Sequence, residues 1–322
     1  MYLGSVKFYK HLIYITMITI LVLAIIGLIF LISLIIPSSN AEAASLDNMY
    51  KTSYNQASEN DTNIKETIND QASSEQTKKL DDVSQTADKK SEEPSIFEVY
   101  PDLYCEKSTI KANDKKTAYI TFDDGPSSYT TEILNVLKEH NIKATFFVIT
   151  GDYNAPNLDL LKQINDEGHA IGLHSHTHIY KEIYDTKDSF LKELNDSLNI
   201  IYEKTNVKPT VIRFPGGSIN DFSLDIYEDI TTEVLNRNFK YYDWNVSFED
   251  AKNYTTVDEI YQNVMYGIEK NSENDLIILA HDRANNINML EALKKVINVL
   301  ESYGYTFDRL DNSVEPITFS NK

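Results

Sequence analysis

Two adjacent carboxylates, Asp123 and Asp124, close the apolar run at 117–121 and are followed at once by Gly125-Pro126. Neighbouring side chains on a strand point to opposite faces, so an acid pair is useful inside a fold only where the strand is ending. Strand ends in α/β proteins carry chemistry because their loops are free of packing duty while the sheet holds them rigid. A lone Asp-Asp-Gly would read as a solvated turn. A second cluster changes that reading: His174-Ser175-His176-Thr177-His178 gathers three of the seven histidines into five residues. The spacing of His174 and His178 puts two imidazoles on one face of a helical turn and lets them share a metal, with a solvated cluster as the alternative. Asp124 would be the third ligand. Two histidines and one carboxylate with open positions for water suit hydrolytic zinc, although cobalt, manganese, nickel and ferrous iron use similar sets. His176 faces elsewhere if the other two converge, and His169 reads as a solvated loop residue.

These groups need a scaffold that brings distant segments together. From Lys116 onward, short β-rich runs alternate with helical ones. The spacing predicts strands over 117–123, 144–150, 170–174, 211–214, 241–246, 276–280 and 305–310. Helices are predicted over 130–140, 158–167, 189–204, 224–236, 257–270 and 287–302, each with apolar residues at three- and four-residue spacing. Such alternation implies a parallel sheet, open or closed into a barrel. The continuous apolar runs Phe146-Phe147-Val148 and Ile278-Leu279-Ala280 fit strands buried on both faces. Asp123 and Asp124 end the first strand, His174 the third and Arg213 the fourth. Asp243 lies in the fifth, and His281-Asp282 end the sixth. A parallel α/β architecture gathers all of them on one rim.

The five segments together resemble the ordered motifs of the NodB-type polysaccharide deacetylases, carbohydrate esterase family four. They are Thr121-Phe-Asp-Asp-Gly125, His174-Ser-His-Thr-His178, Arg213-Phe-Pro-Gly-Gly217, Asp243-Trp244 and Leu279-Ala-His-Asp282. The resemblance covers about residues 116 to 310. It implies a distorted, incomplete (β/α) barrel of about seven parallel strands, and a hydrolase that removes acetyl groups from N-acetylated glycans, above all peptidoglycan N-acetylglucosamine; the alternatives are another surface or chitin-like glycan, an O-acetyl xylan ester, or a catalytically silent glycan-binding domain. Asp124, His174 and His178 would hold a divalent metal that binds the acetamide carbonyl and a water. Asp123 would be the general base, paired with Arg213. The oxyanion would meet a backbone N–H just after Pro215, that of Gly216. His281 would protonate the departing amine, with Asp243 orienting it and raising its pKa. Trp244 and Leu279 would form an apolar pocket for the acetyl methyl. One departure stands out: a common form of the third motif has an aromatic residue after the proline, where this chain has Gly216-Gly217. A backbone donor survives that change, while the shape of the sugar site becomes open.

The N-terminal third has a different character. Residues 12–37 hold no charged side chain and follow Lys7 and Lys10. A helix of that length, at about 1.5 Å per residue, crosses a hydrocarbon core of roughly 30 Å. We therefore expect a cytoplasmic N-terminus (1–11), a single-pass membrane anchor (12–37), a disordered extracellular spacer (38–95), a lead-in segment (96–115) and the catalytic domain (116–322), a monomer. A signal peptide cleaved near Ala41-Glu42-Ala43 is the competing reading. Residues 1–37 contain two of the 30 basic residues and none of the 49 acidic ones, so the remainder carries a net charge of −21. That excludes nucleic acid as a natural partner but is indifferent to a neutral glycan. The single cysteine, Cys105, permits no intrachain disulfide and reads as a packing residue.

Overall fold

A computed structural model describes residues 99–319, except 113–114, 252–254, 272–274 and 285. The expected anchor and spacer lie outside the described residues. Among those described, no helix is long and apolar enough to cross a membrane. The strands are β1 (Thr117–Asp123), β2 (Thr145–Ile149), β3 (Ala170–Ser175), β4 (Val211–Ile212), β5 (Lys240–Tyr241), β6 (Val246–Ser247), β7 (Leu276–His281) and β8 (Thr306–Phe307). The helices are α1 (Thr130–Glu139), α2 (Leu160–Asp166), α3 (Tyr180–Ile183), α4 (Lys187–Thr205), α5 (Tyr227–Asn236), α6 (Val257–Lys270) and α7 (Ile287–Ser302).

Seven strands run in the order β5-β4-β3-β2-β1-β7-β6, all pairings parallel. β8 lies off this path, against Thr117 and Ala118 of β1, on the edge that β2 reaches only from Thr121 onward. The outermost strands, β5 and β6, are joined by residues 242–245 alone. In a flat sheet they would stand about 29 Å apart at the usual strand spacing, whereas five peptide links span at most about 18 Å. The sheet must therefore curl until its edges nearly meet, which makes it an incomplete (β/α) barrel. The strand expected over 241–246 is consequently two strands, with Asp243 and Trp244 in the crossing between them.

The C-terminal segment packs into this opening. Asp243 donates its N–H to the Ile317 carbonyl (2.8 Å), and Tyr242 Oη donates to the Asp311 and Val314 carbonyls (2.7 and 2.8 Å). Alternation along the strands sorts the core into two layers. Ala118, Ile120 and Phe122 of β1 face the helices and pack in one cluster with Leu134, Leu137, Leu293 and Ile297. Tyr119, Phe147, Val211, Tyr242, Ile277 and Leu310 fill the inside of the curl. Gly172 is required there, because a Cβ would stand 2.4 Å from the Phe147 ring. Followed toward the carboxyl ends, the same inward-facing positions become Asp123, Arg213 and His281.

A further sequence expectation is corrected at this level. His169 is not solvated but 2 % exposed; its Nδ1 accepts the Ala144 N–H at 3.1 Å and its ring meets Phe146 edge-on. Burial, with Lys143 nearby, pushes its pKa down to about 4, so it is a neutral core residue. Cys105 is buried, as expected of a packing residue. Its thiol donates to the Asn238 carbonyl, and burial pushes its pKa up to about 11.

The closing of the barrel mouth by the C-terminal segment can be tested at Tyr242. Tyr242→Phe leaves two part-buried carbonyls without their donor and should lower stability by about 1 kcal/mol in urea unfolding. An unchanged midpoint would show that the segment is not held there.

Candidate active site

Asp123 is the last inward position of β1, and Asp124 follows it in the left-handed region at φ 73°. A non-glycine residue rarely adopts that conformation, at a cost of order 1–3 kcal/mol. It is held there by the Asp124 N–H on the Phe147 carbonyl (3.2 Å) and by Asn154 Nδ2 on the Asp124 carbonyl (2.7 Å). The reversal brings both neighbouring carboxylates to one cavity. Gly125 then passes so close to Asp282 that a Cβ would fall 2.2 Å from Oδ2. Asp282 itself accepts from Ser127 Oγ and Thr130 Oγ1, both at 2.6 Å, and thereby fixes the turn into α1. Burial raises its carboxyl to about 6, although the two hydroxyls pull the other way.

The two histidines do not lie on a helical turn as their spacing suggested. His174 ends β3, and the chain reverses so that His178 also adopts a left-handed φ, 59°. Glu193 of α4 shapes this reversal, accepting the His176 and Thr177 N–H groups (2.7 and 2.8 Å) and the Thr177 hydroxyl. His176 points away, to Thr150. Asp124 Oδ1 lies 3.4 Å from His174 Nε2 and 3.2 Å from His178 Nε2. The three ligand atoms all fall within 4.8 Å of one another, the single such group of His, Cys, Asp or Glu among the described residues.

This donor set fits a metal. Four-coordinate zinc, with bonds of about 2.0–2.1 Å, separates its ligand atoms by about 3.3 Å. His174 Nδ1 lies 2.7 Å from the Arg213 carbonyl. A carbonyl only accepts, so the proton is on Nδ1 and the Nε2 lone pair is available. Burial, with His174 and Arg283 adding to it and Asp124 opposing, lowers the His178 pKa to about 4 and keeps that ring neutral. Burial alone would raise the Asp124 carboxyl, but His174, His178 and Arg283 outweigh it and hold it well below the usual range. Arg283 grips the second oxygen, Oδ2, through Nε at 2.7 Å and Nη2 at 2.5 Å. Sequence reading did not anticipate that contact.

Arg213 is fully buried. Its Nη1 donates to Asp123 Oδ1 (2.9 Å) and Thr121 Oγ1 (2.6 Å), Nε to the Tyr242 carbonyl (2.9 Å), and Nη2 to the Asp243 carbonyl (3.1 Å). Asp123 Oδ2 has no hydrogen-bond partner among the described residues, and the carboxylate lines the cavity.

The partner expected for His281 is wrong. Asp243 accepts from Ser218 N–H (2.7 Å), Ser218 Oγ (2.5 Å) and the Phe319 N–H (2.6 Å), so its carboxylate is committed to the loop after Arg213 and to the C-terminal segment. His281 Nδ1 instead meets Asp250 Oδ1 at 2.8 Å, and Asp250 Oδ2 accepts the His281 N–H at 3.0 Å. Burial would lower the His281 pKa, but the Asp250 hydrogen bond and charge outweigh it and raise it. Asp250 sits just beyond the carboxyl end of β6. Splitting 241–246 into two strands would have placed it on the rim with the others.

In the loop that follows, Pro215 offers its carbonyl to Tyr184 Oη (2.8 Å) and Asn220 Nδ2 (3.1 Å), and Gly217 donates to the Phe214 carbonyl. Gly216, at φ 77°, is left with an N–H that has no partner among the described residues. Gly216, Trp244 and Leu279 line one cavity of about 270 Å³ with Asp123, Asp124, His174, His178 and His281, whereas Pro215, Arg213 and Asp243 are not part of its wall. A larger groove of about 690 Å³, beside Tyr266, Tyr303 and Tyr305, contains none of them.

Three groups that could hold a metal, a carboxylate paired with arginine and a histidine held by an acid thus gather around one cavity of a curled parallel sheet, an arrangement suited to hydrolysis. The family model for polysaccharide deacetylase matches residues 110–235. The chain is 34 % identical over 220 residues to YheN of Bacillus subtilis, covering 67 % of this chain and 75 % of that one. It is 33 % identical over 218 residues to a peptidoglycan-N-acetylglucosamine deacetylase of Bacillus cereus, covering 66 % and 76 %. The catalytic domain of peptidoglycan N-acetylglucosamine deacetylase from Eubacterium rectale superposes with a TM-score of 0.61 at 32 % identity, covering 67 % of this chain and 97 % of that one. The chain belongs to the polysaccharide deacetylase family, carbohydrate esterase family four, and is a hydrolase acting on amides.

Two substitutions separate the roles of the supporting residues. Arg213→Met strands a buried carboxylate and should cost about 3–5 kcal/mol in denaturant unfolding; a loss below 1 kcal/mol would contradict the pairing. Asp250→Asn leaves burial as the main influence on His281, so its pKa falls. The alkaline limb of the kcat profile, where the imidazolium is lost, should then move to lower pH. A limb that stays in place would remove Asp250 as the partner.

Proposed function

We propose that the protein is a metal-dependent deacetylase of N-acetylated cell-wall sugars, acting on N-acetylglucosamine in peptidoglycan, with its catalytic domain outside the cell and residues 12–37 as the membrane anchor. One observation carries this reading: three ligand atoms at metal spacing share a cavity with a proton acceptor, Asp123, and a proton donor, His281. The names of the similar Bacillus cereus and Eubacterium rectale proteins support peptidoglycan as substrate.

A divalent metal held by Asp124, His174 and His178 would supply Lewis-acid polarisation of the acetamide carbonyl and a water acidic enough to attack near neutral pH. The protein's own groups do the rest. Asp123 Oδ2 takes the proton of the attacking water. The Gly216 N–H is free to donate to the oxygen on which charge develops. His281, kept protonated by Asp250, gives its Nε2 proton to the sugar nitrogen as the C–N bond breaks, leaving acetate and a free amine. Trp244 and Leu279 give the acetyl methyl an apolar seat.

The test is acetate release from purified peptidoglycan, after chelation and then re-addition of zinc, cobalt, manganese, nickel or ferrous iron singly. The expected result is acetate matched by new glycan amines, abolished by chelation and restored at least by zinc. Activity that survives chelation, or turnover of acetylated xylan but not of peptidoglycan, would contradict it.

A further inference from the structure

The two glycines that replace the usual aromatic of the third motif are not followed by empty space. A Cβ on Gly216 would fall 2.9 Å from the Tyr180 ring and 3.0 Å from its hydroxyl, and one on Gly217 would fall 2.6 Å from the Phe319 ring. Aromatic rings from elsewhere in the chain therefore occupy the room that the motif gives up. Tyr180 lines the catalytic cavity and meets His178 edge-on at 5.4 Å. Its far side contacts Phe222, with ring centroids 5.4 Å apart.

Phe222 packs against Tyr180 and remains 45 % exposed. Its backbone is nevertheless fixed. Asn220 Oδ1 accepts the Phe222 and Ser223 N–H groups (2.9 and 3.1 Å), while Asn220 Nδ2 donates to the Pro215 and Gly217 carbonyls (3.1 and 3.0 Å). One side chain thus sets both the loop that presents the Gly216 N–H and the position of an exposed ring beside the cavity.

We propose that Phe222, backed by Tyr180, is a sugar-binding residue: a platform for the pyranose ring next to the one being deacetylated. An aromatic face offers a large rigid apolar surface that suits the C–H face of a pyranose, at little conformational cost. The cavity of about 270 Å³ holds little more than one acetamido sugar, so a chain substrate must run out across its rim. This inference rests on the glycan reading above, and its failure can be told apart from that reading's failure.

The experiment uses full-length Asp123→Asn protein, loaded with zinc to block turnover but not binding, titrated with N-acetylglucosamine tetramer and with the monomer. Phe222→Ala in that background should weaken the tetramer at least five-fold and leave the monomer unchanged, and Phe222→Trp should restore the tetramer. Equal tetramer affinity with and without the ring, or no preference of the Asp123→Asn protein for tetramer over monomer, overturns the proposal. Phe222-dependent tetramer binding in a protein whose wild type releases no acetate supports the subsite and retires the deacetylase reading. Acetate release with Phe222-independent binding does the reverse.

Discussion

The structure depends on a fully buried guanidinium. Burying an arginine is costly unless its donors are met, and Arg213 meets carbonyls from the strand crossing, a threonine hydroxyl and the Asp123 carboxylate. Its plane also lies 4.3 Å from the Phe147 ring centroid, the upper limit of the apolar filling of the barrel. The same residue, through its carbonyl, sets the proton of His174 and thereby frees the ligand nitrogen. Asp123 and His174 are thus both held by a single residue just beyond the end of β4. Since that strand is only two residues long, the hydrogen bonds of Arg213 hold this part of the rim together more than the ladder does.

Much of this was legible in the chain before any coordinates. Continuous apolar runs located the central strands β1, β2 and β7, because a strand buried on both faces has no polar alternation to hide it. The rim position of Asp123, Asp124 and His281 followed from β1 and β7, and that of His174 and Arg213 from the strands expected over 170–174 and 211–214. Local pattern failed where tertiary geometry intervenes. Residues 241–246 read as one strand because nothing in Tyr-Tyr-Asp-Trp-Asn-Val signals that the sheet's two edges meet there. That miss gave Asp243 the role that belongs to Asp250. His169 was misread because a histidine satisfied by one backbone N–H has no sequence signature.

The curl also explains the division of labour among the acids. Asp243, in the crossing, is turned toward Ser218 and the C-terminal segment, so it shapes the loop that leaves Gly216 free to donate. Asp250, beyond the other edge, reaches His281. Arg283 on the free oxygen of Asp124 leaves Oδ1 facing both histidines, so the acid presents one ligand atom to the site. Four carboxylates around one mouth avoid mutual repulsion because each is committed to its own cation or donor.

The central claim is that two neighbouring aspartates, the second of them in a left-handed conformation, have separate tasks. Zinc content per protein chain in Asp123→Asn and Asp124→Asn, set beside the unaltered protein, tests it most directly. The account predicts one zinc in the unaltered protein, one in Asp123→Asn, which should be catalytically silent, and none in Asp124→Asn. Loss of zinc from Asp123→Asn, or its retention at full occupancy in Asp124→Asn, would contradict it.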